Sequence, residues 1–148
     1  MNVEVYTRLV EECNRQTKLL NEEGNTINMV EYKYLTNCLD CMEYMEQSYN
    51  IDLDCSDVSL EVIDILFSHA YEAYKEDSFD NLDIFVDMFS GYVGMVFKNT
   101  FGGNFVYDET GEALNVNTNH IYISQDVHKC ITENMKISEL FKQYQELL

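Results

Sequence analysis

Asp57, Glu61 and Asp64 recur at i, i+4, i+7, and Asp80, Asp83 and Asp87 at i, i+3, i+7, spacings that place each trio along one helical face. They belong to a longer acidic run. Between residues 51 and 87 the carboxylates Asp52, Asp54, Asp57, Glu61, Asp64, Glu72, Glu76, Asp77, Asp80, Asp83 and Asp87 stand against Lys75 as the sole lysine or arginine. Like charges at helical spacing repel by roughly a few tenths of a kcal/mol per pair. A basic partner would relieve that repulsion, so the chemistry on offer is electrostatic capture of a basic protein surface. The plain alternative is a solvated face that keeps the chain in solution. The one-sided clustering leaves both readings open.

A second constellation is a loop of calcium type. Asn50, Asp52 and Asp54 occupy positions one, three and five, and Glu61 position twelve, of an EF-hand-like stretch between two helices. The sixth position, where the sharp turn wants glycine, is Cys55, and the usually aliphatic eighth is Asp57. The competing reading is an inter-helix loop whose serine or aspartate caps the next helix and whose acids suit its positive end.

Nucleophilic, redox and metal chemistry find less support. Cys38-Leu39-Asp40-Cys41 is a lone CxxC inside an apolar helical stripe, whereas a reactive pair usually opens a helix after a strand. His69, His120 and His128 are scattered over different elements, and His120 or His128 with Cys130 lacks any sign of convergent geometry. No GxSxG elbow, P-loop, dinucleotide-binding glycine pattern or HExxH occurs, so neither an enzyme nor a cofactor is expected. The polar segment Asn115-Val116-Asn117-Thr118-Asn119-His120, with Tyr107 and Tyr122 nearby, has the composition of a contact surface, and Asn117 and Tyr122 are candidates for it. Ordinary turn chemistry explains the same residues.

The elements that would position these groups follow from periodicity. Val3, Tyr6, Val10, Cys13, Thr17 and Leu20 form one stripe, and Leu35, Cys38, Met42, Met45 and Tyr49 a second, with Asn28 and Glu31 as a capping pair. Ser56 or Asp57 caps a third helix with Leu60, Ile63, Phe67, Ala70 and Tyr74 inward. Asp80 is expected to cap a fourth, carrying Leu82, Phe85, Val86, Phe89, Val93 and Val96. Gly91 and Gly94 in that helix each cost about 1 kcal/mol of propensity relative to alanine, which implies close backbone packing. After Gly102-Gly103 the alternating runs 104–108, 113–117 and 120–123 predict a small antiparallel meander. Short helices follow over 126–132 and from Ser138.

The chain thus reads as α+β and predominantly α-helical: a four-helix N-terminal part (1–100) packed with a β-meander and C-terminal helices (101–148), all one domain of 148 residues. A net charge of −18 repels nucleic acid and anionic membrane. No apolar stretch has membrane-spanning length, and residues 1–5 carry no leader pattern, so a cytoplasmic protein with reduced thiols is expected. The sequence leaves the oligomeric state open.

Gly91-Tyr92-Val93-Gly94, then Phe101-Gly102-Gly103-Asn104-Phe105, a hairpin, and Ile121-Tyr122-Ile123 leading into Val127 to Ile131 resemble small bacterial proteins of poorly characterised and immunity-type families. The likeness covers about the last sixty residues. It departs from the pattern at Phe105, where tryptophan is common, and at Ser124, where proline often follows the strand. The resemblance implies a non-enzymatic inhibitor that neutralises a toxin, and nuclease toxins are often basic. Two alternatives accompany it: a phage-type inhibitor of host defence that mimics nucleic-acid charge, and a calcium-binding module using the loop over residues 50–61.

Overall fold

In a computed structural model describing residues 3–148, the chain forms α1 (Val3–Asn21), α2 (Met29–Tyr49), α3 (Leu60–Lys75) and α4 (Leu82–Phe101). These are followed by β1 (Asn104–Tyr107), β2 (Glu112–Val116), β3 (Asn119–Ile121), α5 (Ile123–Glu133) and α6 (Ile137–Leu147). This is the expected α+β, mainly helical architecture. No helix among the described residues is long and apolar enough to cross a membrane.

The organising element is α4. Every residue from Ser90 to Phe97 is buried, so the single stripe expected for this helix widens to its whole circumference. It packs chiefly on α2 and also meets α5 and β2. The two glycines permit that approach. A Cβ on Gly91 would lie 2.6 Å from the backbone N of Cys38 and 2.7 Å from the carbonyl O of Tyr34, and one on Gly94 would run into the Tyr34 ring.

The α2 stripe buries Tyr34, Leu35, Cys38, Cys41, Met42 and Met45, while Tyr49 is exposed at its end. At the other end Asn28 caps the helix as expected, its Oδ1 accepting the Glu31 N–H at 3.0 Å. The reciprocal half of the capping box is absent, because the Glu31 carboxylate accepts from Lys98 Nζ at 2.6 Å. Asn28 Nδ2 instead donates to the Phe105 carbonyl at 2.7 Å, joining the start of α2 to β1.

α1 is less deeply seated than its pattern predicts. Leu9 and Gln16 are its buried residues, and the stripe ends Val3 and Leu20 are exposed, because α1 meets the rest of the fold chiefly along one side of α2. In α3, Leu60, Ile63, Phe67 and Ala70 face the core as expected, with Tyr74 exposed. Neither Ser56 nor Asp57 is the N-cap of α3: that position is Ser59, which makes no side-chain cap bond, while Ser56 Oγ accepts the Ser59 N–H at 3.3 Å in the turn before the helix. Asp80 does not cap α4. The helix opens at Leu82 behind Asn81, which sits in the left-handed conformation and makes no side-chain cap bond.

The sheet has the order β1-β2-β3, antiparallel throughout, with Phe105 opposite Leu114 and Leu114 opposite Ile121. Asn117 and Thr118, with φ of 50° and 72°, form the two-residue turn between β2 and β3, a type I′ arrangement that matches strand twist. Phe97, Phe101, Phe141 and Tyr144 form a ring cluster that holds α6 against α4. Phe67 meets Phe85 and Phe89 between α3 and α4.

Candidate functional site

The two acidic trios meet different fates. Asp57 and Glu61 are exposed, and Asp57 Oδ1 accepts the Val58 N–H at 2.9 Å. Asp64 is half-buried and points into the α3–α6 seam, where its carboxylate accepts the Ser138 backbone N–H at 3.2 Å and the Ser138 hydroxyl. That seam is a cleft of about 510 Å³ in which Glu61, Asp64 and Glu139 share space with Lys136 and Lys142 of the α6 region. Bases from a distant part of the chain therefore dilute this ridge.

Asp80 precedes α4, before left-handed Asn81, so of the expected helical trio only Asp83 and Asp87 share the helix; all three are exposed, and no lysine or arginine among the described residues pairs with them. Lys75, the one nearby base in sequence, is held by Glu72 at 3.2 Å and lies over the Tyr71 ring. The end of α3, the α3–α4 turn and the first half of α4 thus form one exposed acidic stretch, with Glu72, Glu76, Asp77, Asp80, Asp83 and Asp87 against Lys75 alone. The two sets border different clefts, Glu61 and Asp64 the seam between α3 and α6 and Asp80 an apolar cleft beside α4.

An apolar cleft of about 490 Å³ opens beside the second ridge, lined by Tyr44, Phe79, Asp80, Ile84, Phe85 and Met88 among others. Ile84 is 66% exposed. Ile84 and Met88 lie off the main α4 stripe, so the periodicity of that stripe alone does not mark this cleft. Their i, i+4 spacing is the signal that marks a second apolar strip.

The calcium-type loop is pinned to the core through Leu53 and Cys55, while Asn50, Asp52, Asp54 and Glu61 stay exposed. Leu53 and Cys55 are buried, the Cys55 N–H donates to Tyr92 Oη at 2.9 Å, and Asp54 Oδ1 accepts from both the N–H and hydroxyl of Ser56. Cys55 does take the left-handed conformation of the sixth EF-hand position, with φ of 60°. Asn50 closes α2 with φ of 54°, and Glu61 lies on α3. Among the described residues no three His, Cys, Asp or Glu side chains converge as metal ligands.

Cys38, Cys41, Cys55 and Cys130 are buried free thiols, and Cys13 is half-buried. The Cys38 and Cys55 sulfurs stand 3.9 Å apart. The hydrogen bond to Cys55 and burial raise the Cys38 thiol well above its ordinary pKa, and burial does the same for Cys41. Burial pushes Cys130 up to about 12, with Asp126 and Asp64 adding to the effect, the opposite of an activated nucleophile. His128 is exposed on the same helix.

At the sheet, Asn117 is the first residue of the I′ turn and is exposed. Tyr122 is half-buried and donates its hydroxyl to Asp108 Oδ2 at 2.6 Å, and His120 Nδ1 reaches the same oxygen at 2.6 Å. Asp108 Oδ1 accepts the N–H groups of Thr110 and Gly111 at 2.8 and 3.1 Å. The bonds from Tyr122 and His120 hold the Asp108 carboxyl well below the usual carboxylate range, and Asp108 in turn raises Tyr122. This cluster ties the β1–β2 loop to β3. Asp108 is absent from the sequence-based candidates, although Asp-x-Thr-Gly is a turn signature and His120 and Tyr122 alternate along one strand direction.

Compared with known protein families, with characterised proteins and with solved structures, the chain matches none.

Proposed function

We propose that this is a non-enzymatic acidic binding protein that neutralises a basic protein partner, in the manner of an immunity protein or antitoxin acting in the cytoplasm. The observation that carries this reading is the group Asp80, Asp83 and Asp87, exposed and without a lysine or arginine partner among the described residues. A fold stores repulsion of that kind at little cost to itself, and a lysine- or arginine-rich surface lowers it on contact. The resemblance of the C-terminal part to immunity-type proteins points the same way. A nucleic-acid mimic, which needs regularly spaced carboxylates across one surface, receives less support because Asp64 is engaged by α6 and the two ridges face different clefts.

The test is capture of partners from the native cell at low and then high salt, followed by association kinetics with whichever basic protein is recovered. Neutralising Asp80, Asp83 and Asp87 together to asparagine is expected to slow association by at least about tenfold and to flatten its salt dependence. Unchanged kinetics in that variant, or recovery of no basic protein at low salt, overturns the reading.

A further inference from the structure

We infer that the apolar cleft beside the second ridge is a docking groove for a basic amphipathic helix of the partner. The helix's apolar face would lie on Tyr44, Phe79, Ile84, Phe85 and Met88 while its lysines and arginines meet Asp80 and Asp87 at the groove's edge. The inference rests on the proposed capture of a basic partner and specifies where and how that capture occurs.

The placement of Ile84 is the starting point. It is 66% exposed, yet Asp83 precedes it and Asp87 follows three residues on, which on a helix makes Asp87 its neighbour one turn away. Asp80 lines the cleft directly. Asp80 and Asp87 therefore border one side of the apolar groove, with Asp83 farther round the helix, the arrangement of a binding patch with a desolvated centre and a charged edge. A smaller hollow shares Tyr44, Phe79 and Phe85 and adds Leu66 and Ala70, so the apolar floor extends toward α3. Such an elongated floor between helices suits the i, i+3, i+4, i+7 anchors of an amphipathic helix. Aromatic rings and a methionine also adapt to an incoming side chain at small cost.

Charge selects the occupant. A second copy of this chain would bring the same carboxylates against the rim, and an anionic membrane would be repelled by a chain of net charge −18. A helix carrying leucines on one face and lysines on the others satisfies both floor and rim.

The experiment uses the full chain and three synthetic helical peptides: leucine with lysine at amphipathic spacing, the same lysines with serine replacing leucine, and the same leucines with glutamate replacing lysine. Binding is followed by fluorescence anisotropy at low and physiological salt. The leucine–lysine peptide is expected to bind with one-to-one stoichiometry, and Ile84→Ser and Ile84→Lys to weaken it by at least about tenfold. Ile84 is exposed, so both variants are expected to melt like the parent, which circular dichroism checks. Equal binding of the serine–lysine peptide, or indifference to both Ile84 variants, overturns the groove and leaves capture by charge standing. Equal binding of the leucine–glutamate peptide overturns the basic occupant and counts against capture by charge. No binding of the leucine–lysine peptide overturns the docking inference, and capture by charge is then judged separately by recovery from the native cell.

Discussion

The Asp64 carboxylate of α3 caps α6, a helix 74 residues away in sequence, by accepting the backbone N–H and the hydroxyl of Ser138. The local cap position is Lys136, whose side chain makes no cap bond, so the acceptor is supplied from across the seam. Asp64→Ala is expected to destabilise the fold by about 1–2 kcal/mol, with Asp64→Asn losing less because its amide oxygen still accepts. Urea unfolding reads the total. Faster amide exchange confined to the first turn of α6 in the alanine variant distinguishes a lost cap from a general loosening.

Tyr92 anchors the loop between α2 and α3 from inside the core. Its hydroxyl oxygen accepts the Cys55 N–H at 2.9 Å and shares a hydrogen bond with Ser59 Oγ at 2.6 Å, all three groups being buried. Burial raises the Tyr92 pKa far above that of an ordinary tyrosine, so the phenol stays protonated. Tyr92→Phe keeps the ring but strands a buried donor at Cys55, a change expected to cost about 1–3 kcal/mol. Denaturant titration measures it, and the Cys55 amide should be among the first to gain exchange.

These two bonds show what the sequence holds and what it conceals. Helical spacing reports which side of a helix is apolar, so Cys38, Met42 and Met45 on α2 and Ile63 and Phe67 on α3 are legible as core. Asn28 is legible as a cap because its partner lies three residues on. Periodicity does not say what packs against each face. The burial of residues 90–97 of α4 on every side, the bond from Asn28 to Phe105 and the hub at Asp108 all depend on elements brought together only by the tertiary fold. For the same reason spacing treats the two acidic ridges as equals. What separates them is Lys136 and Lys142, which arrive beside Glu61 from the far end of the chain.

Gly91 and Gly94 should respond unequally to alanine. Alanine gains roughly 1 kcal/mol of helix propensity at either site. At Gly91 the new methyl meets backbone atoms of α2, the Cys38 N at 2.6 Å and the Tyr34 O at 2.7 Å, which can yield only if the helices separate. At Gly94 it meets the Tyr34 ring, a side chain that can tilt. Overpacking costs about 1–3 kcal/mol, so Gly91→Ala is expected to lower the melting temperature by several degrees and Gly94→Ala by less. Equal losses would mean that the Tyr34 ring is as immovable as the backbone.

Asp108 makes stability depend on acid pH with a definite sign. Its folded pKa is depressed below the ordinary value of 3.8, first by the Tyr122 hydroxyl and then by His120. A depressed carboxylate binds its proton more readily in the unfolded chain than in the folded one, so the stabilisation is fully present above the unfolded pKa and is lost as pH falls through the folded one. The difference in unfolding free energy between the parent and Asp108→Asn should therefore be constant from about pH 5 up to pH 6 and shrink below about pH 4. Urea titrations of both proteins across that range read it directly. Tyr122→Phe removes the leading cause of the depression and should shift the loss to higher pH, whereas an unshifted profile would assign the effect to His120 and the Thr110 and Gly111 amides.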